Sequence, residues 1–308
     1  MHLARPALAH AAAALLCAVP TSTLAAQSRG PAGAAPQVND SVIVSSAWLA
    51  ARLDEPNLVV IQVVHDQSYG EGHIPGAREL SYMDIVARRD SLGSELPPPD
   101  RLRDIFERLG VSDDSRVIVY GDDAPMNARV LFTLDYLGHT RWAMLDGGLA
   151  QWRAEGRPVT RDVPSVARGR LATAPRPEIV ATADEIMAGL GKPGVSLIDT
   201  RTDGEYLGTA GRRGMPSAGH VEGARQLEWQ WLVREGNASL LRDRAELQRL
   251  YAERVRPGDA IITYCWVGFR ASATWLVARH LGYTAKMYDG SYQDWMQRGL
   301  PVKAGREP

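Results

Sequence analysis

The sequence predicts two α/β domains of one fold in tandem, each a small parallel sheet with helices on both faces. Two observations lead there. Apolar runs of strand length alternate with stretches of helical spacing, and the whole order of elements occurs twice. The turn Gly72-His73-Ile74-Pro75-Gly76-Ala77 also returns as Gly219-His220-Val221-Glu222-Gly223-Ala224, with Gly, His, Gly and Ala in register. The 308 residues suffice for two cores of ordinary size, and 45% hydrophobic with 23% charged residues suits a soluble globular protein.

Taken in order, residues 1–26 have the layout of a secretory signal peptide. His2 and Arg5 precede an Ala/Leu-rich run over 7–19, and small residues end at Leu24-Ala25-Ala26. The run is short against the roughly 20 residues of a membrane helix. The expected location is therefore periplasmic or secreted, with no membrane attachment after the leader is removed. Residues 27–39, rich in Ala, Gly and Pro, read as a flexible lead-in. The first domain spans 40–160, a polar linker without periodicity 161–177, and the second domain 178–304.

Within the domains, Val42-Ile43-Val44-Ser45-Ser46 opens a helix through Leu53, and Ile179-Val180-Ala181-Thr182 opens another, with Thr182 and Glu185 spaced as a capping box. Apolar strands follow over 58–64 and 195–199, then the two Gly-His turns, where His73 and His220 are expected to fix the turn. Asp100 precedes Leu102, Ile105, Phe106 and Leu109 at helical spacing, closed by Gly110; Asp243 precedes Leu247, Leu250 and Tyr251 in the same way. Val117-Ile118-Val119-Tyr120 matches Ile261-Ile262-Thr263-Tyr264 as a buried strand. Both halves end alike, on Asp146-Gly147-Gly148 with Trp152 and on Asp289-Gly290-Ser291 with Trp295.

The halves differ where it matters for chemistry. After the matched strands the second half reads Cys265-Trp266-Val267-Gly268-Phe269-Arg270, whereas Gly121 stands opposite Cys265 in the first. The chain has two cysteines, and only Cys265 lies outside the leader, so no internal disulfide and no cysteine-based zinc site is available. Cys265 follows a parallel strand and precedes a helix, where open α/β sheets bind ligands. Successive N–H groups of such a loop form an anion-binding nest at the helix N-terminus. These dipoles and Arg270 stabilise a thiolate. Gly268 suits a backbone turn that other residues resist.

The repeated Gly-His-x-x-Gly-Ala, the Cys-x-x-Gly-x-Arg loop and the Asp-Gly-Ser ending resemble tandem rhodanese-domain sulfurtransferases, the thiosulfate and 3-mercaptopyruvate enzymes. The resemblance covers roughly residues 40–303. It implies two tandem rhodanese-like domains, an inactive first and a catalytic second, with Cys265 carrying sulfur in a cradle of Trp266, Val267, Gly268, Phe269 and Arg270. It implies Arg201 in anionic substrate binding and Asp199 in support. Arg212 and Arg213, just before the second Gly-His turn, are further candidates for the pocket. The expected partners are a small anionic sulfur donor and a thiol or cyanide acceptor, with no metal or organic cofactor. The loop is more apolar than in either branch of the family, and Gln62 stands where the mercaptopyruvate branch has an acid of a proton relay. Thiosulfate is the expected donor and 3-mercaptopyruvate the alternative.

Two rivals come from other classes. Cysteine phosphatases use Cys-x5-Arg, whereas four residues separate Cys265 from Arg270, a smaller cradle that suits a sulfur atom better than a phosphoryl group. A non-catalytic sulfur-binding or redox-sensing module would react once and stop. The net charge of −1 argues against nucleic acid as a partner.

Overall fold

The computed structural model describes residues 1–2, 36–37, 39–65, 68–212 and 217–308. The leader and most of the lead-in expected at 1–39 lie outside the described residues. Both halves of the repeat belong to one compact unit, Gly33–Pro308. Among the described residues no helix is long and apolar enough to cross a membrane.

The first half contains strands β1 (Ile43–Val44), β2 (Leu58–Val64), β3 (Arg78–Ser81), β4 (Ala87–Arg89), β5 (Leu92–Glu95), β6 (Arg116–Tyr120) and β7 (Trp142–Leu145). Its helices are α1 (Ser46–Ala50), α2 (Pro99–Arg108), α3 (Ala124–Tyr136) and α4 (Gly148–Ala154). The second half contains β8 (Val180–Ala181), β9 (Val195–Asp199), β10 (His220–Val221), β11 (Arg225–Gln226), β12 (Val233–Arg234), β13 (Asn237–Leu241), β14 (Ala260–Tyr264), β15 (Ala285–Tyr288) and β16 (Val302–Lys303). Its helices are α5 (Ala183–Gly189), α6 (Asp203–Leu207), α7 (Arg244–Ala252), α8 (Ala271–His280) and α9 (Ser291–Gln297).

Each half has a five-stranded sheet, in the order β1-β7-β6-β2-β3 and, from the other edge, β8-β15-β14-β9-β11. Every pairing in both is parallel. The two orders are the same order, which makes the repeat a repeat of topology as well as of sequence. Parallel strands need crossovers and are covered on both faces, so their sequences run apolar without alternation. In β2, Val59, Ile61 and Val63 enter the core shared with the second half, while Leu58 and Val60 face the opposite layer.

The halves meet through α3 and α8. Phe132 of α3 stands edge-on to Trp275 of α8 at 5.1 Å between ring centroids, and Trp275 also touches Trp142. One hydrophobic core therefore runs across the interface. Local signals act as expected at most element starts. Ser45 caps α1 and Asp243 caps α7. At α5, Thr182 accepts the N–H of Glu185, but the reciprocal capping box forms at α6, between Thr202 and Glu205. The α1 helix stops at Ala50 rather than Leu53, and turns complete the segment.

The two Gly-His turns are clamped identically. His73 stacks on Tyr69 and His220 on Tyr206, at 3.9 and 3.8 Å. Each ring also bonds two backbone carbonyls, Tyr69 and Asp162 or Tyr206 and Glu307. Both histidines are buried and shape backbone. The segment between the halves is pinned along the first: Gly169 N–H donates to Glu107 O, Ala174 N–H to Leu137 O and Arg176 N–H to Tyr136 O.

Candidate active site

Cys265 follows β14 at its carboxyl end and is buried. Its N–H donates to Ser291 Oγ at 3.2 Å, and that hydroxyl donates to Tyr288 O at 2.7 Å. Its carbonyl accepts the N–H of Tyr292, and the Trp266 carbonyl accepts that of Gln293, both at 3.0 Å. The start of the loop is thus laid along the first turn of α9. Gly268 has φ +79°; a Cβ there would stand 2.7 Å from both the carbonyl and Oδ1 of Asp289, so the turn requires glycine on two counts. Among the described residues, no protein acceptor takes the N–H groups of Trp266, Val267, Gly268, Phe269 and Arg270. Ordinarily buried donors are satisfied, so these amides are the loop's open hydrogen-bonding capacity.

The loop opens on a cleft of about 480 Å³ between the two halves. His65, Tyr82, Met83, Val86, Gly93 and Ser94 line it from the first half; Glu205, Arg212, Trp229, Cys265, Trp266, Val267, Phe269 and Arg270 line it from the second. Tyr82 stands edge-on to Phe269 at 5.2 Å, and His65 tilts against both rings. This wall is aromatic and apolar. A smaller cavity of about 220 Å³ on the second half is lined by Leu190, Glu222, Arg225 and Arg254 among others, and Cys265 is not among its lining residues. Among the described residues no cluster of three or more His, Cys, Asp or Glu is placed to hold a metal ion.

The expected arginines are placed differently from one another. Arg270 ends the loop with its guanidinium forked onto Glu205, Nη1 to Oε2 at 2.8 Å and Nη2 to Oε1 at 2.9 Å. Glu205 also accepts Trp266 Nε1 and the N–H and hydroxyl of Thr202. Burial would raise its carboxyl; the Arg270 and Thr202 hydrogen bonds outweigh that and hold it down at about 2. Arg270 in turn is driven above the ordinary guanidinium range: burial opposes this, but Glu205 and the Cys265 sulfur prevail. Arg270 is therefore a charged residue within electrostatic reach of Cys265, with one donor of each Nη engaged by Glu205.

Arg201 requires a correction. It was expected at the substrate, yet it does not line the cleft. It is fully buried, chelated by Asp199 through Nε and Nη2 (2.6 Å to Oδ2), with Nη2 also reaching Gly219 O. Its guanidinium stacks 3.8 Å over Tyr292. A buried ion needs a counterion and planar partners, and Asp199 and the Tyr292 ring supply both. Asp199 also accepts Tyr264 Oη at 2.7 Å, and that hydroxyl accepts Val221 N–H, so Asp199 orders the strand ends around it. Gln62 is the equivalent in the first half: it is engaged with Tyr120, holding Oη at 2.9 Å, and likewise is not among the residues that line the cleft at Cys265.

Trp266 borders the cleft but is buried, its ring edge-on to Tyr292, while Phe269 stands against Tyr82 on the cleft wall. Arg212 is exposed on the rim; Arg213 lies outside the described residues. Sequence reading missed Glu205, His65 and Tyr82. Glu205 did leave a signal, Thr-x-x-Glu, but that pattern announces a helix cap and says nothing of Arg270 sixty-five positions away.

Comparison with known proteins shows the family and the fold. The model of the rhodanese-like domain matches twice, over residues 45–155 and 182–298. The thiosulfate sulfurtransferase of Azotobacter vinelandii is 33% identical over 262 residues, covering 82% of this chain and 93% of the relative. The sulfur carrier protein TtuD of Thermus thermophilus is 32% identical over 288 residues, 86% of this chain and 98% of that one. Among solved structures, SseA from Escherichia coli, a 3-mercaptopyruvate sulfotransferase with the rhodanese fold, aligns with a TM-score of 0.72 at 26% identity, covering 82% of this chain and 99% of its own.

Proposed function

The chain belongs to the rhodanese family, whose reaction is sulfur transfer, and we propose that it moves the outer sulfur of thiosulfate through a persulfide on Cys265. The Cys265 thiolate attacks the outer sulfur; the S–S bond of thiosulfate breaks and sulfite leaves with the electron pair. Cyanide or a thiol then attacks the terminal sulfur of the persulfide and the thiolate returns. The two displacements balance without a redox partner, and splitting the transfer in this way gives ping-pong kinetics.

The observation that carries this reading is the loop of unpaired amides around Cys265 at the floor of the cleft. Preorganised N–H donors stabilise charge on the sulfur being transferred, at no cost in reorganisation. Arg212 on the rim, rather than Arg201, is the cation available to draw a dianion in. The aromatic wall of Tyr82, Phe269 and Trp229 suits an organic thiol as acceptor. The mature enzyme acts in the periplasm or outside the cell in this reading, on the strength of the leader at 1–26.

Intact mass spectrometry after thiosulfate exposure should find one added sulfur atom on Cys265 and none on Cys265→Ser. Steady-state assays of thiosulfate and 3-mercaptopyruvate with one acceptor should give thiosulfate the higher kcat/KM. No sulfur gain, or a clear preference for mercaptopyruvate, overturns the assignment.

A further inference from the structure

We propose that Arg129, in the domain without the nucleophile, is a positioning residue that sets the shape of the Cys265 loop, acting through Asp289. Arg129 projects from α3 and is wholly buried. Its Nη1 bonds Asp289 Oδ1 across the interface, its Nη2 bonds Ser94 O at 2.9 Å, and its Nε has no partner among the described residues. The other Asp289 oxygen accepts Leu96 N–H at 2.8 Å, so both oxygens of this second-domain carboxylate are held by the first domain.

Asp289 in turn borders the loop. Its carbonyl and Oδ1 bound the space at Gly268, and a Cβ there would lie 3.3 Å from Arg129 Nη1. From Asp289 the chain runs directly into Ser291, Tyr292 and Gln293, which bond the backbone of Cys265 and Trp266. Whatever holds Asp289 therefore holds the template on which the nucleophile's loop lies. Burying a guanidinium is costly before its partner compensates, so such a pair adds little stability over a packed apolar interface. What it supplies is one fixed geometry.

The other end of the repeat lacks the device. Asp146 accepts Leu241 N–H at 2.9 Å, the same contact in mirror, but the residue matching Arg129 in α8 is Ala273. The silent loop thus has the carboxylate and the covering strand without the guanidinium. This contrast separates positioning from interface adhesion and provides an internal control.

The inference rests on Cys265 as the sulfur carrier but not on the choice of donor. The full chain carrying Arg129→Lys, Arg129→Met, Asp289→Asn or Asp146→Asn is to be assayed for kcat, KM, thermal midpoint and the single-turnover rate of sulfur loading. Arg129→Lys, which keeps the charge but loses the fork, should lower kcat about 10- to 100-fold with KM little changed, as small misplacements do. Asp289→Asn should fall alike, the Arg129→Lys/Asp289→Asn pair should be no worse than either alone, and Asp146→Asn should keep the parent kcat. A folded Arg129→Lys that turns over at the parent rate, or an Asp146→Asn that loses as much, overturns the proposal. If neither Arg129 variant folds, Asp289→Asn decides it by the same kcat criterion. A parent that takes no sulfur from thiosulfate counts against the donor reading alone. The rate of Cys265 alkylation by iodoacetamide then measures loop order, and an unchanged rate in Arg129→Lys overturns the positioning role.

Discussion

The loops after β6 and β14 both follow a tyrosine that makes the same pair of hydrogen bonds and both enter helices at the interface of the halves, yet the first is short and closed, residues 121–123, and the second is longer and open, residues 265–270. In the closed one, Gly121 O accepts Ser239 Oγ at 2.8 Å, Asn127 reaches the same hydroxyl, and Asp123 caps α3 by accepting Met126 N–H. Strand β13 of the second half covers it. In the open one, Arg270 stands at the N-cap of α8 without a capping bond, and among the described residues the amides of Trp266, Val267, Gly268 and Phe269 have no protein acceptor. The strand that covers this side, β5, sends its Ser94 hydroxyl to Tyr82 instead of into the loop. One fold thus serves as support or as a site according to whether the covering strand bonds into the loop and the helix that follows is capped. The site is made by leaving the loop uncovered as much as by adding a thiol.

The largest test of that contrast removes Arg270. Arg270→Ala leaves Glu205 buried beside Cys265 without its counterion, which places an uncompensated negative charge where an anion must bind. We expect kcat/KM for thiosulfate to fall about ten- to a hundredfold, the worth of a charge-assisted bond, and Glu205→Gln in the same chain to recover part of it. Steady-state kinetics on the three variants read this directly. Full activity of Arg270→Ala would mean the open loop needs no cation, and a double variant no better than the single would mean Glu205 does not oppose the donor.

A second test asks whether the closed loop has room to become a site. A Cβ at Gly121 would stand 2.6 Å from Val63 O and 2.8 Å from Asn127 Oδ1. Gly121→Ala should therefore cost about 3 kcal/mol, the upper range for overpacking, and Gly121→Cys should load no second sulfur. Urea unfolding and intact mass measure the two. A stable Gly121→Cys that takes up sulfur would show the loops to be interchangeable.

The smallest effect concerns the two covering strands, where Glu95 occupies the position of Leu240. Burial and the Asp289 charge push Glu95 up to about 7, against the pull of Arg129 and Arg89. Its ordinary value is 4.5, so the folded state binds the proton more tightly than the unfolded chain. Such a group stabilises most at pH below its unfolded value, and the contribution is lost as pH rises through about 7. Glu95→Gln should flatten the stability curve across that window by roughly 1–2 kcal/mol, allowing for solvent screening. Unfolding midpoints between the two pH limits measure it; a variant curve parallel to the parent's would show Glu95 ionised throughout.

The sequence by itself determined the tandem repeat, the strands Leu58–Val64 and Val195–Asp199, the position of Cys265 between a strand and a helix, and the need for glycine at 268. These are local: apolar runs, caps and turn residues act within a few positions, and the repeat prints each signal twice. The tertiary structure decided how each arginine is used. Arg201 and Arg270 look alike in the sequence, yet Asp199 holds one fully buried and Glu205 engages the other at the site. It decided too that the domain without a nucleophile contributes His65, Tyr82 and Arg129 to the one that has it. Charge compensation joins residues sixty-five and 160 positions apart. Such a pairing leaves no periodic trace, because it depends only on which side chains the packed sheets bring within hydrogen-bonding reach.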